Sequence, residues 1–294
     1  MLDRLKKGEV LVADGAMGTL LLDKGLQPGE CPEALSISKP DILKDIARSY
    51  LEADADIIQT NTFGGSPMKL KEYGLEDKTE EVNQRAASLV REVVGDRASV
   101  SGSCGPSGAL LKPYGDTEPE VLYSGFERQI GALVEGTVDL VCVETMTDLR
   151  EAVLAVEAAK AVSAGTPVMA TMTFDETARG FYTIMGVSVA EAAAGLQEAG
   201  ADIIGSNCGN GIENMVRIAH EFMKVSSLPV IIQSNAGKPE MKCGRLRYPE
   251  SPALFAEKAR EMMAAGVSII GGCCGTTAEH IRAIREVVDS RQVR

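Results

Sequence analysis

Two adjacent cysteines, Cys273 and Cys274, stand in Gly271-Gly272-Cys273-Cys274-Gly275-Thr276, directly after the apolar run Val267-Ser268-Ile269-Ile270. A third, Cys208, follows the similar run Ala201-Asp202-Ile203-Ile204-Gly205-Ser206-Asn207. Three thiols at the ends of buried strands suit a zinc ion with three protein ligands and one open position, an arrangement for chemistry rather than for stapling a fold. Free cysteine also serves as a small buried hydrophobe; the matching placement of the third thiol favours metal over packing. Asn235, in Gln233-Ser234-Asn235-Ala236-Gly237, ends a further apolar run. It is either a turn residue tolerant of left-handed backbone or a neutral oxygen ligand that closes the fourth position and leaves when substrate arrives.

A second group of residues could hold an organic substrate. In Asp14-Gly15-Ala16-Met17-Gly18-Thr19, glycines let successive N–H groups of Gly15, Ala16, Met17 and Gly18 turn toward one point, a nest for a carboxylate or phosphate. No lysine follows as in a P-loop, so nucleotide phosphate is disfavoured. Asp14 itself could instead cap the following helix. Glu144 ends the run Asp139-Leu140-Val141-Cys142-Val143 and would present a carboxylate at the same edge, unless it forms an internal ion pair or caps the helix starting near Asp148. Negative charge beside a nest of donors suits a zwitterionic amino acid. Reading Asp14 and Glu144 as a glycosidase pair would leave the cysteines idle. Cys142 reads as core, Cys31 and Cys243 as loop residues, Cys104 as a tightly packed rim residue, and His220 and His280 as structural. Gly209-Asn210-Gly211 imitates a dinucleotide motif but has Asn214 where a third glycine belongs.

The elements that must position these residues are legible as a repeating unit: a β-branched apolar run, a polar turn, then an Ala/Glu/Lys-rich amphipathic stretch. The predicted strands are 10–13, 55–60, 98–103, 138–143, 167–173, 201–207, 229–234 and 267–271. Eight such units predict an α/β fold, one (β/α)8 TIM barrel over 1–294 with its active site at the strand C-terminal ends; a doubly wound open sheet is the alternative. The residues at those ends are Asp14, Asn61, Cys104, Glu144, Phe174, Cys208, Asn235 and Cys273. Turns alone would prefer Gly, Asn, Asp or Ser, so the cysteines and the glutamate need another reason. The longer stretches 105–118, 175–188 and 236–251 fall on the same rim as potential lids.

A net charge of −12 argues against nucleic acid or an anionic membrane as partner. Seven cysteines without compact spacing read as reduced thiols. The N-terminus shows no signal-peptide apolar region and no run approaches a membrane span, so a cytoplasmic enzyme is expected.

Taken together, six ordered motifs resemble the homocysteine S-methyltransferase family: Asp14 to Thr19, Thr60-Asn61-Thr62-Phe63, Glu144-Thr145, Asn207-Cys208, Asn235-Ala236-Gly237 and Gly271 to Thr276. The resemblance implies a zinc-dependent barrel that methylates homocysteine to methionine. It implies that Cys208, Cys273 and Cys274 bind zinc and that Asp14, the amides after it and Glu144 hold the amino acid. Ser234-Asn235-Ala236-Gly237-Lys238-Pro239 is most similar to the homocysteine module of cobalamin-dependent members, in which the matching asparagine ligates zinc when substrate is absent. Betaine-dependent members carry tyrosine where this chain has Thr145. The donor expected from this likeness is a methyl-corrinoid (cobalamin) on a separate protein, since 294 residues hold no corrinoid module. The alternatives are a small donor (S-methylmethionine, S-adenosylmethionine, betaine or a dimethylsulfonio compound) or, in another class, a non-catalytic zinc-stabilised binding barrel.

Overall fold

The computed structural model describes residues 1–163, 165–242 and 245–292; Cys243 lies outside them. Eight parallel strands form the barrel: β1 (Leu11–Val12), β2 (Ile57–Gln59), β3 (Ser99–Cys104), β4 (Leu140–Met146), β5 (Val168–Met172), β6 (Ile203–Asn207), β7 (Val230–Ser234) and β8 (Ile269–Gly272). Each pairs with its sequence neighbours, and β8 pairs with β1 through Leu11↔Ile269 and Val12↔Ile270. The bridge Ala13↔Ile57 joins β1 to β2 and closes the ring. The expected (β/α)8 architecture is therefore present. Two hairpins, Asp175–Thr177 with Gly180–Tyr182 and Glu240–Lys242 with Arg245–Arg247, decorate the β5 and β7 exits, within two of the stretches expected as lids.

One longer helix follows each strand: α1 (Pro40–Leu51), α2 (Thr79–Val94), α3 (Pro119–Glu135), α4 (Leu149–Val162), α5 (Val189–Glu198), α6 (Ile212–Val225), α7 (Pro252–Ala265) and α8 (Ala278–Gln292). The shorter helices Gly18–Asp23, Leu35–Ser38 and Pro67–Lys71 lie in the loops after β1 and β2. In α1, Leu43, Ile46, Ala47, Tyr50 and Leu51 repeat at helical spacing and are all buried against the sheet. Ser188 and Glu191 form a capping box at the start of α5, while Ser251 caps α7 and Gly266 ends it in the left-handed conformation. No described helix is long and apolar enough to cross a membrane.

An aspartate directly before three of the strands has a mechanical role. Asp56, Asp139 and Asp202, each just before an even-numbered strand, accept the N–H of Val12, Val100 and Val168 on the preceding strand at 2.9, 2.7 and 2.8 Å. Each carboxylate is backed by a cation, respectively Arg285, Arg91 and Lys160. The same aspartates donate their own N–H to the carbonyls of those three valines. Each clamp fixes both bonds at a strand start. Before β8 the position is Ser268, which keeps only the backbone bond, to Val230.

Two shells of apolar side chains result. Val12, Ile58, Val100, Val141, Ile204, Ile232 and Ile270 point outward onto the helices. Leu11, Ala13, Ile57, Leu140, Cys142, Met169, Ile203, Ile231 and Ile269 fill the barrel interior, and Leu5 plugs its lower end. Leu5 belongs to a short helix, Leu2–Lys6, that sequence reasoning did not assign; Arg4 ties it to Asp56 at 2.8 Å. Cys142 is core, as expected.

Replacing Asp202 with alanine leaves the buried Val168 N–H without its acceptor. Urea unfolding of Asp202→Ala is expected to show a loss of about 1–3 kcal/mol, whereas Ser268→Ala should stay within about 0.5 kcal/mol. Equal effects at the two positions would contradict the clamp.

Candidate active site

The period-two alternation of the strands carries the interior upward into a polar ring. Gln59 stands two residues beyond Ile57, Glu144 two beyond Cys142, Thr171 two beyond Met169, Gln233 two beyond Ile231 and Asn207 four beyond Ile203. All these side chains therefore project into the barrel mouth, and Ser103 joins them from β3. Gln59, Ser103, Glu144, Gln233, Cys208, Cys273 and Cys274 line one cavity of about 260 Å³.

The three cysteines meet there, with Sγ atoms all within 4.8 Å of one another and Cys208 Sγ 3.9 Å from Cys274 Sγ. A tetrahedral metal with bonds of about 2.3 Å places its sulfur ligands about 3.8 Å apart, so the donor set fits a metal ion. Cys208 adopts φ +61, rare outside glycine; this breaks the strand alternation and turns a second consecutive residue, after Asn207, toward the mouth. Strand β7 stitches the two cysteine loops together. Cys208 N–H donates to Gln233 O, Cys273 N–H to Ser234 O at 2.7 Å, and Ala236 N–H to Cys274 O. Hydrogen bonds from the Cys273 and Cys274 thiols push the Cys208 thiol down to about 3, while the same contacts push Cys273 up. The three thiols resist ionising together without a cation. Asn235 Oδ1 accepts from Cys274 N–H at 3.1 Å, which leaves it one free lone pair for any metal contact.

Glu144 is buried on the opposite wall. Its Oε1 accepts from Ser103 Oγ and from Gln59 Nε2, and its Oε2 from Asn207 Nδ2 at 3.3 Å. Burial pushes its carboxyl up to about 7, against the Ser103 bond that lowers it. Asp14 is pushed up to about 8, by burial first and by the charge of Glu144 as well, with the Gln59 N–H opposing. Its Oδ2 accepts that N–H at 2.8 Å, while the buried Oδ1 has no partner among the described residues. Neither acid is a helix cap: the short helix Gly18–Asp23 has Met17 at its N-cap, and α4 is capped by Asp148.

In the segment expected as a nest, Gly15 and Met17 N–H groups have no acceptor among the described residues, but Ala16 N–H donates to Thr276 Oγ1 at 3.1 Å. Ala16 thus anchors the loop. Thr276 Oγ1 also donates to Cys273 O, and buried Tyr50 donates to Ala16 O at 2.8 Å. A side chain at Gly15 would collide with both hydroxyls, 2.6 and 2.8 Å from its Cβ position. This junction joins the cysteine loop to the nest. Sequence reasoning missed it, because the Ala16–Thr276 bond links residues 260 positions apart.

Other sequence candidates lie elsewhere. Cys104 points outward to Gln129 on α3, Cys31 donates to Glu33, and Phe174 packs against Phe222 in the outer core. Asn61 lines the cavity and donates to Pro32 O. His280 bonds Thr277 and Glu250 O, and His220 is exposed on α6. Tyr248 was also missed: its ring occupies the space a side chain at Gly275 would need, and burial together with Cys274 pushes its hydroxyl up to about 12.

The raised carboxyls set a pH dependence. Their folded values lie above those of the unfolded chain, so the stability they contribute is complete below about pH 4 and lost as pH rises through 7 to 8. In the metal-free, ligand-free protein, Glu144→Gln is expected to be more stable than the parent at pH 8 by on the order of 2–3 kcal/mol, and to match it near pH 4. Denaturant unfolding at both pH values checks this; a variant no more stable at pH 8 would contradict the burial argument.

The model of the family described as homocysteine S-methyltransferase matches residues 11–288. Methionine synthase of Mycobacterium leprae is 34% identical over 95% of this chain, and that of Mycobacterium tuberculosis 33% identical over 98%. The chain spans only about a quarter of the length of these relatives, 24% and 25%. Among solved structures, the metallated form of the Escherichia coli homocysteine methyltransferase MmuM superposes with a TM-score of 0.80, covering 97% of this chain and 98% of that one at 20% identity, a likeness of fold. With the family model spanning nearly the whole barrel and with relatives above 30% identity, the chain belongs to the homocysteine S-methyltransferase family.

Proposed function

We propose that this chain binds homocysteine at the barrel mouth and brings its thiol to a zinc ion held by Cys208, Cys273 and Cys274, for methylation to methionine. The observation that carries the reading is the convergence of three sulfurs and the buried Glu144 on one small cavity beside the Asp14 loop. A free thiol near pKa 8.5 is only about 3% thiolate at neutral pH, and zinc would supply the Lewis acidity that keeps it deprotonated there.

The chain's own residues then orient the amino acid. Glu144 and the Oδ1 of Asp14, without a partner among the described residues, accept from the ammonium, whose positive charge offsets the burial that raises both carboxyls. The free N–H groups of Gly15 and Met17, with Gly18 at the helix start, receive the carboxylate, and Ala16 holds the loop in place. Asn235, with one lone pair of Oδ1 left over from the Cys274 N–H, would serve as the fourth metal ligand when no substrate thiol is bound.

The methyl donor in this proposal is a methyl-corrinoid carried outside the barrel on a separate protein. Three features support it: the Asn235-Ala236-Gly237 pattern, Thr145 in place of tyrosine, and a cavity of about 260 Å³, far too small to enclose a corrinoid. The donor must therefore approach over the rim loops.

Two outcomes are expected. Metal analysis should find about one zinc per chain, lost in Cys208→Ala, Cys273→Ala and Cys274→Ala; full retention in all three would sink the metal site. Glu144→Gln should keep its zinc and bind homocysteine about 10- to 100-fold more weakly. Methyl transfer to homocysteine, assayed with methylcobalamin and with each small donor, tests the donor. Turnover with betaine or S-methylmethionine and none with methylcobalamin would leave only the acceptor half standing.

A further inference from the structure

Between the two ends of this substrate site stands a side chain that carries no charge and belongs to neither the cysteine trio nor the acid pair. Asn207 is fully buried at the end of β6, two strands from β4 on one side and two from β8 on the other. Its Nδ2 lies 2.7 Å from Thr145 Oγ1, 3.3 Å from Glu144 Oε2 and 4.0 Å from Cys273 Sγ. Its Oδ1 accepts from Thr145 N–H at 2.8 Å and from Thr171 Oγ1 at 2.7 Å. A backbone N–H can only donate, so the Thr145 bond fixes which amide atom is oxygen and turns the NH2 group toward both Glu144 and Cys273. Thr145 has φ +59, costly for a β-branched residue. Its two bonds to Asn207 hold it there, and with it the end of β4 that carries Glu144.

We propose that Asn207 is a positioning residue that sets the span between the ammonium anchor Glu144 and the metal-site sulfur Cys273, and thereby selects an amino acid with a γ-thiol over one with a β-thiol. The proposal rests on the homocysteine reading above. Homocysteine and cysteine present the same ammonium, carboxylate and thiol and differ by one methylene. When both polar ends must be satisfied at once, a fixed separation makes the shorter molecule give up one end to reach the other. Asn207 keeps the separation fixed, because its rigid amide is bonded to β4 through Glu144 and Thr145 and to β5 through Thr171. Without it, Glu144 would retain Ser103 and Gln59 but lose its tie toward the cysteine side.

The test is equilibrium binding of L-homocysteine and L-cysteine to the zinc-loaded parent, Asn207→Ala and Thr171→Val by calorimetry, with zinc content and thermal melting recorded for each. Thr171→Val removes only the hydroxyl that orients the amide. The parent should prefer homocysteine by at least about tenfold, within the range one methylene commands. Asn207→Ala should cut that ratio to about threefold or less with zinc retained, and Thr171→Val should move it part of the way. A parallel fall in both affinities with the ratio unchanged would overturn the proposal and leave Asn207 a fold-supporting residue. If Asn207→Ala loses zinc or melts below the assay temperature, the ratio in Thr171→Val decides in the same way. A parent that binds no homocysteine would overturn the underlying reading as well, a result separable from an unchanged ratio in a parent that does bind it.

Discussion

Everything at the barrel mouth depends on β7 holding the ends of β6 and β8 in register. The three thiols come from two loops 65 residues apart in sequence, and only the backbone between them fixes their separation. Gln233 O, Ser234 O and Asn235 Oδ1 each accept one bond from the cysteine segments, and Ala236 N–H donates one to Cys274 O. The side chain of Gln233 meanwhile lines the cavity, its buried Oε1 without a partner among the described residues. At the other end of the sheet the aspartate clamps fix where β2, β4 and β6 begin against the strand before each, and in strands this short a one-residue slip would send every mouth residue to the outer face.

That scaffold supports an arrangement that is poor for stability and good for binding. Two carboxyls are buried close enough to oppose each other's ionisation, and three thiols are crowded where one proton is readily lost and the next are not. Two residues, Thr145 and Cys208, take left-handed backbone without being glycine. The backbone strain and the crowded acids and thiols cost folding free energy; under the proposed function an ammonium would offset the burial of the carboxyls and a divalent metal the crowding of the sulfurs. Asn207 reaches from Glu144 to Cys273 and so joins the carboxyl and sulfur halves of the mouth.

Much of this was legible in the sequence. Apolar runs marked all eight strands, and the residue types at their ends marked the mouth, because cysteine and glutamate are not what a turn selects. Legibility stopped where parity mattered. Cys104 and Phe174 occupy strand ends as Cys273 does, yet both face the outer core. The polar ring of Gln59, Ser103, Thr171 and Asn207 could have been found by counting in twos from the core isoleucines. Cys208 and Thr145 escape even that count, because a positive φ resets it. The nest was legible as glycines, but the use of the Ala16 N–H by Thr276 was not, since nothing local announces a contact across the closing seam of a barrel.

The central claim is that three cysteine sulfurs hold a zinc ion whose fourth position is free for the substrate thiol. X-ray absorption at the zinc edge on the zinc-loaded protein measures it directly. The account predicts three sulfur neighbours at about 2.3 Å and one lighter atom without substrate, becoming four sulfurs when homocysteine is added. A first shell that stays at three sulfurs and one light atom under saturating homocysteine would contradict it.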